Sequence, residues 1–313
     1  KANQYYGDER AINPLDDPRF NITVNDARSA LTLTDKKYDA IVSQPSHPWT
    51  AGASHLYTRE FMALAKDHLT EDGVYLQWMN SQFVDEFLLR SLCATMLDVY
   101  PYVRVYQWNT EVLFFLGSNS PMDVETQIAT TGRPLNDDPL GYLEMGVGSV
   151  EDVIAALAMD QPNVEAFAEG GSIITDNSNY MATRSARVMN TQDALRSSKL
   201  YGLLAGHDPL LDSNSWLRSG FPVQVNYPYI SKRLERLTMK QRAVDLASSL
   251  LDSIDPQALV MIALGQERQG EREEAQKNLR LALQADPYDQ QARYALLLPW
   301  FDAYRRGEEI PDY

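Results

Sequence analysis

The chain of 313 residues is 44% hydrophobic and 23% charged, the proportions of an ordinary globular protein with room for two domains. Its 28 basic against 43 acidic residues give a net charge of -15, which disfavours nucleic acid or an anionic membrane surface as a partner and accommodates a cationic ligand. Cys93 is the single cysteine, so an intramolecular disulfide and a cysteine metal cluster are excluded, which fits a reducing, cytoplasmic setting.

No apolar run approaches the ~18 residues needed to cross a bilayer. The chain opens on "KANQYYGDER", without a methionine, as if on a helix cut midway, so a longer protein is expected. The alternation in "RFNITVND" predicts a strand at 20–25, and the apolar run "YDAIVSQ" predicts a second. Thr58 is positioned to cap a helix running through "REFMALAKDHL" to a stop at Gly73. "GVYLQWM" reads as a third strand, and "SQFVDEFLLRSLCATMLDVYP" as an amphipathic helix ended by Pro101, with Cys93 on its apolar side. "VRVYQW" and "EVLFFLGS" are joined by a few residues and read as an antiparallel pair. This order predicts an α/β, Rossmann-like fold with a mostly parallel sheet and helices on both faces.

Ligands of such sheets bind beyond the carboxyl ends of the strands. That edge would hold Asn25-Asp26-Ala27, Ser43-Gln44-Pro45 and Gln77-Trp78-Met79-Asn80. Beyond residue 121 the strand signal fades. "SVEDVIAALAM" and "NVEAFAEG" read as helical, and "GGSIITDNSNYMATRSARV" as an irregular return to the first domain. The expected division is a catalytic domain over 1–190, a loop-rich linker over 191–229 and a helical region over 230–313. In the last, small residues at Ala263, Ala275 and Ala282, a turn at Gly270 and a terminator at Pro287 match the tetratricopeptide pattern, a plain helical hairpin being the alternative.

"DDPRFNITVNDARSAL" and "KKYDAIVSQPSHPWTAGASHLYTREFMALAKDHLTEDGVYLQWM" resemble the spermidine synthase family, the polyamine aminopropyltransferases, over about residues 14–118. "IITDNSNY" looks like a later Thr-Asp-Asp motif of membrane-fused relatives. The resemblance implies a fold that binds S-adenosylmethionine or decarboxylated S-adenosylmethionine. It assigns Asp26 as acceptor for the adenine amino group and Ala27 as a backbone contact; without it, Asp26 is equally suited to cap the helix that follows.

In the family a loop Asp helps to deprotonate and orient the attacking amine. This chain has Gln44 at that position, in Gln44-Pro45-Ser46-His47-Pro48. An amide orients a substrate but takes no proton at neutral pH. His47 has the chemistry of the missing base, or lines the loop together with His55. Trp49 offers an aromatic wall and Tyr57 a hydroxyl at the mouth of the site, with packing as the alternative for each. The family's glycine-rich turn and ribose-binding acid have no counterpart before Asp26, so about a third of a catalytic domain, including two strands, is expected upstream. Membrane helices further upstream in relatives would make this chain the soluble domain of a membrane protein.

No metal ligand set, nucleophile elbow or phosphate loop is visible. Three functions stay open: a diverged aminopropyltransferase acting on a small-molecule amine, a methyltransferase, or a binding module that engages a protein partner through its helical tail.

Overall fold

The computed structural model describes residues 17–45, 47–50, 52–250 and 256–307. The chain divides into two compact units, Lys1–Lys36 and Lys37–Tyr313. In the first, the strand predicted at 20–25 is absent. Those residues are irregular, with Val24 96% exposed, because no neighbouring strand among the described residues pairs with their alternating pattern. They lead into a short helix, α1 (Ala27–Thr32), that buries no residue.

The second unit begins with β1 (Tyr38–Ser43), α2 (Arg59–Asp67), β2 (Leu69–Asn80), α3 (Glu86–Val99), β3 (Tyr102–Gln107) and β4 (Val112–Ser118). There follow α4 (Val124–Thr131), α5 (Pro139–Glu144), α6 (Val150–Ala156), β5 (Leu157–Met159), α7 (Gln161–Ala168) and α8 (Tyr180–Val188). The five strands form one sheet in the order β1-β2-β4-β3-β5. Only β1 and β2 are parallel; the other three pairings are antiparallel, which corrects the mostly parallel sheet. The reason is local. The crossover β2–α3–β3 skips one position, and the tight β3–β4 connection folds β4 back into that gap, antiparallel to both neighbours.

Thr58 caps α2 as expected, its Oγ1 accepting from Phe61 N at 3.5 Å. The helix ends at Asp67, however, and Gly73 lies within β2, in an irregular stretch of the β1–β2 pairing. A Cβ at Gly73 would meet the Tyr38 carbonyl oxygen at 2.9 Å, so close approach of the strands explains the glycine. Residues 81–85 make a separate turn, and α3 starts only at Glu86, capped by the Asp85 carboxylate on Leu88 N at 2.9 Å. α3 buries Leu88, Leu89, Leu92, Cys93 and Met96 against the sheet. Its core partner is a stacked pair, Tyr75 and Tyr100, with ring centres 5.5 Å apart.

Residues 170–179 return across α3 without secondary structure, and side chains of α3 satisfy their backbone. Ser172 N donates to Ser91 Oγ at 3.1 Å and Ile174 N to Thr95 Oγ1 at 2.9 Å. Those hydroxyls donate in turn to the Phe87 and Ser91 carbonyls, 2.7 Å each.

The segment predicted as a linker, 191–229, is packed chain. It contains α9 (Ser197–Leu204) and α10 (Trp216–Ser219), and its Leu210, Leu217 and Val225 share a core with Ile154, Leu234 and Leu246. The remainder is helical: α11 (Tyr227–Arg236), α12 (Lys240–Ser249), α13 (Pro256–Gln269), α14 (Arg272–Ala285) and α15 (Gln290–Arg306). Ala263, Ala275 and Ala282 are fully buried between α13 and α14, whose connection turns at Gly270 with φ 85°. No helix among the described residues is long and apolar enough to cross a membrane.

Two substitutions test this packing. A Cβ at Gly117 in β4 would stand 2.5 Å from the Tyr100 ring, which cannot yield because its hydroxyl is tied to the Met62 carbonyl at 2.9 Å. Gly117→Ala is therefore expected to cost about 1–3 kcal/mol, measured by denaturant unfolding; an unchanged midpoint would contradict the packing. Thr95→Val leaves Ile174 N–H buried without an acceptor, at a cost of about 1–3 kcal/mol. Hydrogen exchange at Ile174 should accelerate while α3 keeps its protection.

Candidate active site

The carboxyl end of the parallel β1–β2 pair is held by Gln77, which sits opposite Ser43 in the register. Gln77 is fully buried; its Oε1 accepts from Tyr75 Oη at 2.5 Å, and its Nε2 donates to the Ser43 carbonyl at 3.4 Å and the Trp78 carbonyl at 3.1 Å. This link joins the aromatic core to the point where β1 becomes loop. Gln44 is the first residue past it and is exposed.

The loop then carries His47, also exposed, into an aromatic group. Its ring centre lies 5.0 Å from Trp49 and 5.3 Å from Phe83, and those two meet edge to face at 5.2 Å. Trp49 thus lies beside His47 and Phe83. Phe83, in the turn after β2, is a member that the sequence did not point to.

Tyr57 is not at a mouth. It is fully buried at the end of a short 3-10 turn, Ala53–Tyr57, and its hydroxyl has no hydrogen-bond partner among the described residues. Burial raises the Tyr57 pKa well above its ordinary value and keeps the phenol neutral. Ser43 Oγ and Ser81 Oγ are likewise buried without partners among the described residues.

The returning segment supplies a carboxylate. Asp176 Oδ1 accepts from Thr58 Oγ1 at 2.9 Å and lies 3.5 Å from His55 Nδ1. Its backbone N–H donates to Glu60 Oε2 at 3.0 Å, Arg59 N donates to the Ile174 carbonyl at 2.8 Å, and Asn179 Nδ2 to the Ser54 carbonyl at 3.1 Å. The segment "IITDNSNY" is therefore fastened along "SHLYTRE". His55 and Asp176 remain partly open to solvent, at 49% and 32% side-chain exposure. An imidazole held by a carboxylate at one nitrogen is oriented to take a proton at the other.

Asp26 and Ala27 belong to the first unit. Asp26 caps α1, its Oδ1 accepting from Ser29 N at 2.8 Å, and Ala27 opens the helix. The same hydrogen bond is the main cause that holds the Asp26 carboxyl below its usual pKa, so it is ionised and acceptor-only at neutral pH.

Against this geometry, residues 4–114 match the family model "Spermine/spermidine synthase domain". The polyamine aminopropyltransferase of Clostridium perfringens (strain 13) is 30% identical over 100 residues, 31% of this chain and 35% of that protein. The enzyme of the same name from Thermotoga maritima is 29% identical over 92 residues, 29% of this chain and 31% of that protein. A crystal structure of spermidine synthase in complex with the transition state analogue AdoDATO aligns over 39% of this chain and 45% of that one, at 21% identity and a TM-score of 0.33. The chain spans about a third of the length of the curated relatives it matches. In sequence, the segment that contains β1, the Gln44–His47 loop and β2 is spermidine synthase-like.

Proposed function

We propose that this chain is the acceptor-binding part of a diverged spermidine synthase-like transferase, acting on a small-molecule amine with decarboxylated S-adenosylmethionine, or S-adenosylmethionine itself, as donor. The observation that carries the reading is the loop after β1, where Gln44, His47 and His55 follow one another in the segment matched by the family, and where Asp176, from the later returning segment, meets His55. The sulfonium donor supplies an electrophilic carbon. The amine nitrogen forms a bond to that carbon, the carbon–sulfur bond breaks, and the thioether leaves with the electron pair. A protonated amine must first lose a proton.

Gln44 can accept a hydrogen bond from the amine and aim it, but cannot take that proton. We assign the base to His55, with His47 as the other candidate. The Asp176 carboxylate would orient His55 and stabilise the imidazolium it becomes, while Thr58 fixes Asp176. Trp49 and Phe83 would flank an alkyl chain. Asp26, ionised by its place at a helix start, has the charge and acceptor character needed by an adenine amino group, and Ala27 the adjoining backbone.

A second reading, a binding module whose helical tail engages a protein, is favoured by one feature. α15 leaves Tyr294, Leu297, Phe301 and Tyr304 exposed. A tetratricopeptide identity for α13 and α14 belongs to that reading.

Two measurements separate these readings. Gln44→Asp should raise aminopropyl transfer from decarboxylated donor to putrescine, by up to the ~10²–10⁴-fold typical of general-base help. His55→Ala should lower transfer in the wild type and matter less in Gln44→Asp. Robust wild-type turnover that falls in Gln44→Asp would remove Gln44 from the reacting position; no turnover in either would favour methyl transfer or the binding module. The second measurement is calorimetry with the donor. Asp26→Ala should weaken binding by about tenfold through loss of a charged acceptor, and equal affinities would take Asp26 out of the donor site.

A further inference from the structure

Away from the loop after β1, a cavity of about 320 Å³ opens between the end of β3, the start of α9 and the α11–α12 turn. Its lining includes Gln107, Ser197, Ser198, Tyr201, Lys240 and Arg242, and no carboxylate side chain is among its lining residues. Two basic side chains line it, and the Asp245 carboxylate behind its wall is engaged by the Tyr201 hydroxyl and by Gln241 Nε2 at 2.9 Å.

Three features converge on it. α9 and α12 both begin at its wall, and neither has a side-chain cap: their N-cap residues are Arg196 and Met239. The first peptide N–H groups of a helix have no partner within the helix, so the cavity receives two sets of donors and the positive ends of two helices. At its other side, Gln107 is only 6% exposed, yet its side-chain amide makes no hydrogen bond among the described residues. With no partner among those residues, the amide lines the cavity with both its donor and its acceptor available to a molecule that enters.

The two cations differ. Arg242 is spent: it donates to both Asp208 oxygens at 2.6 and 2.9 Å and to the Ala155 and Leu157 carbonyls at 2.7 and 2.5 Å. Lys240 is exposed at the rim and makes no ion pair among the described residues. Beside it, Thr238 holds a φ of 65°, a left-handed conformation that a β-branched residue rarely adopts.

From these we infer that the cavity is a binding site for a small oxyanion-bearing molecule. Its phosphate or carboxylate group is held by the Ser197, Ser198, Lys240 and Gln241 N–H groups and the Lys240 ammonium, and a polar group further along the molecule meets the Gln107 amide. The volume suits a metabolite-sized ligand rather than a peptide or a second chain.

The test is amide chemical-shift titration of the whole chain with sodium phosphate and, separately, sodium acetate, each against sodium chloride at matched ionic strength. Shifts concentrated at Ser197, Ser198, Lys240 and Gln241 are expected, and whichever anion gives the tighter saturation names the group. Lys240→Gln should weaken that saturation about threefold. Gln107→Leu removes the cavity-facing amide in favour of a side chain of similar size, so the ligand-free melting temperature should not fall, while a larger ligand that reaches Gln107 would lose affinity. Shifts no greater than those with chloride would overturn the proposal. So would a lowered melting temperature in Gln107→Leu, which would make the amide a structural group. If that variant does not fold, unchanged phosphate affinity in Lys240→Gln overturns it instead.

Discussion

An irregular segment can be buried only if its peptide groups find partners outside a helix or sheet ladder. Residues 171–176 meet this requirement through side chains of α3 and α2, and the candidate site depends on it. Ser91 and Thr95 lie one helical turn apart, so their hydroxyls face the same way and accept from Ser172 N and Ile174 N. Gly171 admits the close approach: a Cβ there would be 2.5 Å from the Arg90 carbonyl oxygen. With the backbone fixed at these points, Asp176 arrives beside Thr58 and His55. The position of one carboxylate is thus set by two hydroxyls on a helix whose other face is core.

The sheet supplies the second fixed frame. β2 pairs with β1 on one side and β4 on the other, and its inward residues alternate between aromatic packing and polar connection. Tyr75 stacks on Tyr100, while its hydroxyl reaches Gln77, which ties down the end of β1. A buried glutamine with its donors and acceptor engaged specifies register more sharply than an apolar side chain would, because a slip leaves an amide unpaired. The loop bearing Gln44 and His47 therefore leaves the sheet from a defined point.

Much of this frame was legible in sequence where the signal is local. Apolar runs marked β1, β2, β3 and β4, and Thr58 announced its helix three residues before the Phe61 N–H that it receives. The small residues Ala263, Ala275 and Ala282 foretold a close helix pair. Readings failed where the outcome depends on distant chain. The alternation at 20–25 has a strand's pattern, but pattern alone gives no pairing partner. β5 is three residues long and directly follows α6, so the helical period swallowed it. The polar stretch 191–229 looked like a linker because its buried residues are spaced without period. Asp176 falls within "IITDNSNY", yet its contact with His55 spans 121 residues and has no local signature. Tyr57 has both an apolar ring and a polar tip, and sequence could not tell which end decides its place.

An amide in place of an acid alters one part of amine chemistry more than another. The chain's net charge of -15 would still draw a cationic amine toward its surface, since long-range attraction depends on the summed charge and not on one residue. Glutamine also keeps an oxygen that can accept a hydrogen bond from an ammonium, so alignment survives. What disappears is a carboxylate able to take the proton at the moment of attack. In the proposed arrangement that duty passes to an imidazole, which must be neutral to perform it and so works best where the amine is itself partly deprotonated. Such a site, if the proposal holds, would favour less basic acceptors over strongly basic diamines. In that proposal recognition would fall to Gln44 and the aromatic side chains of Trp49 and Phe83, and proton transfer to His55 oriented by Asp176.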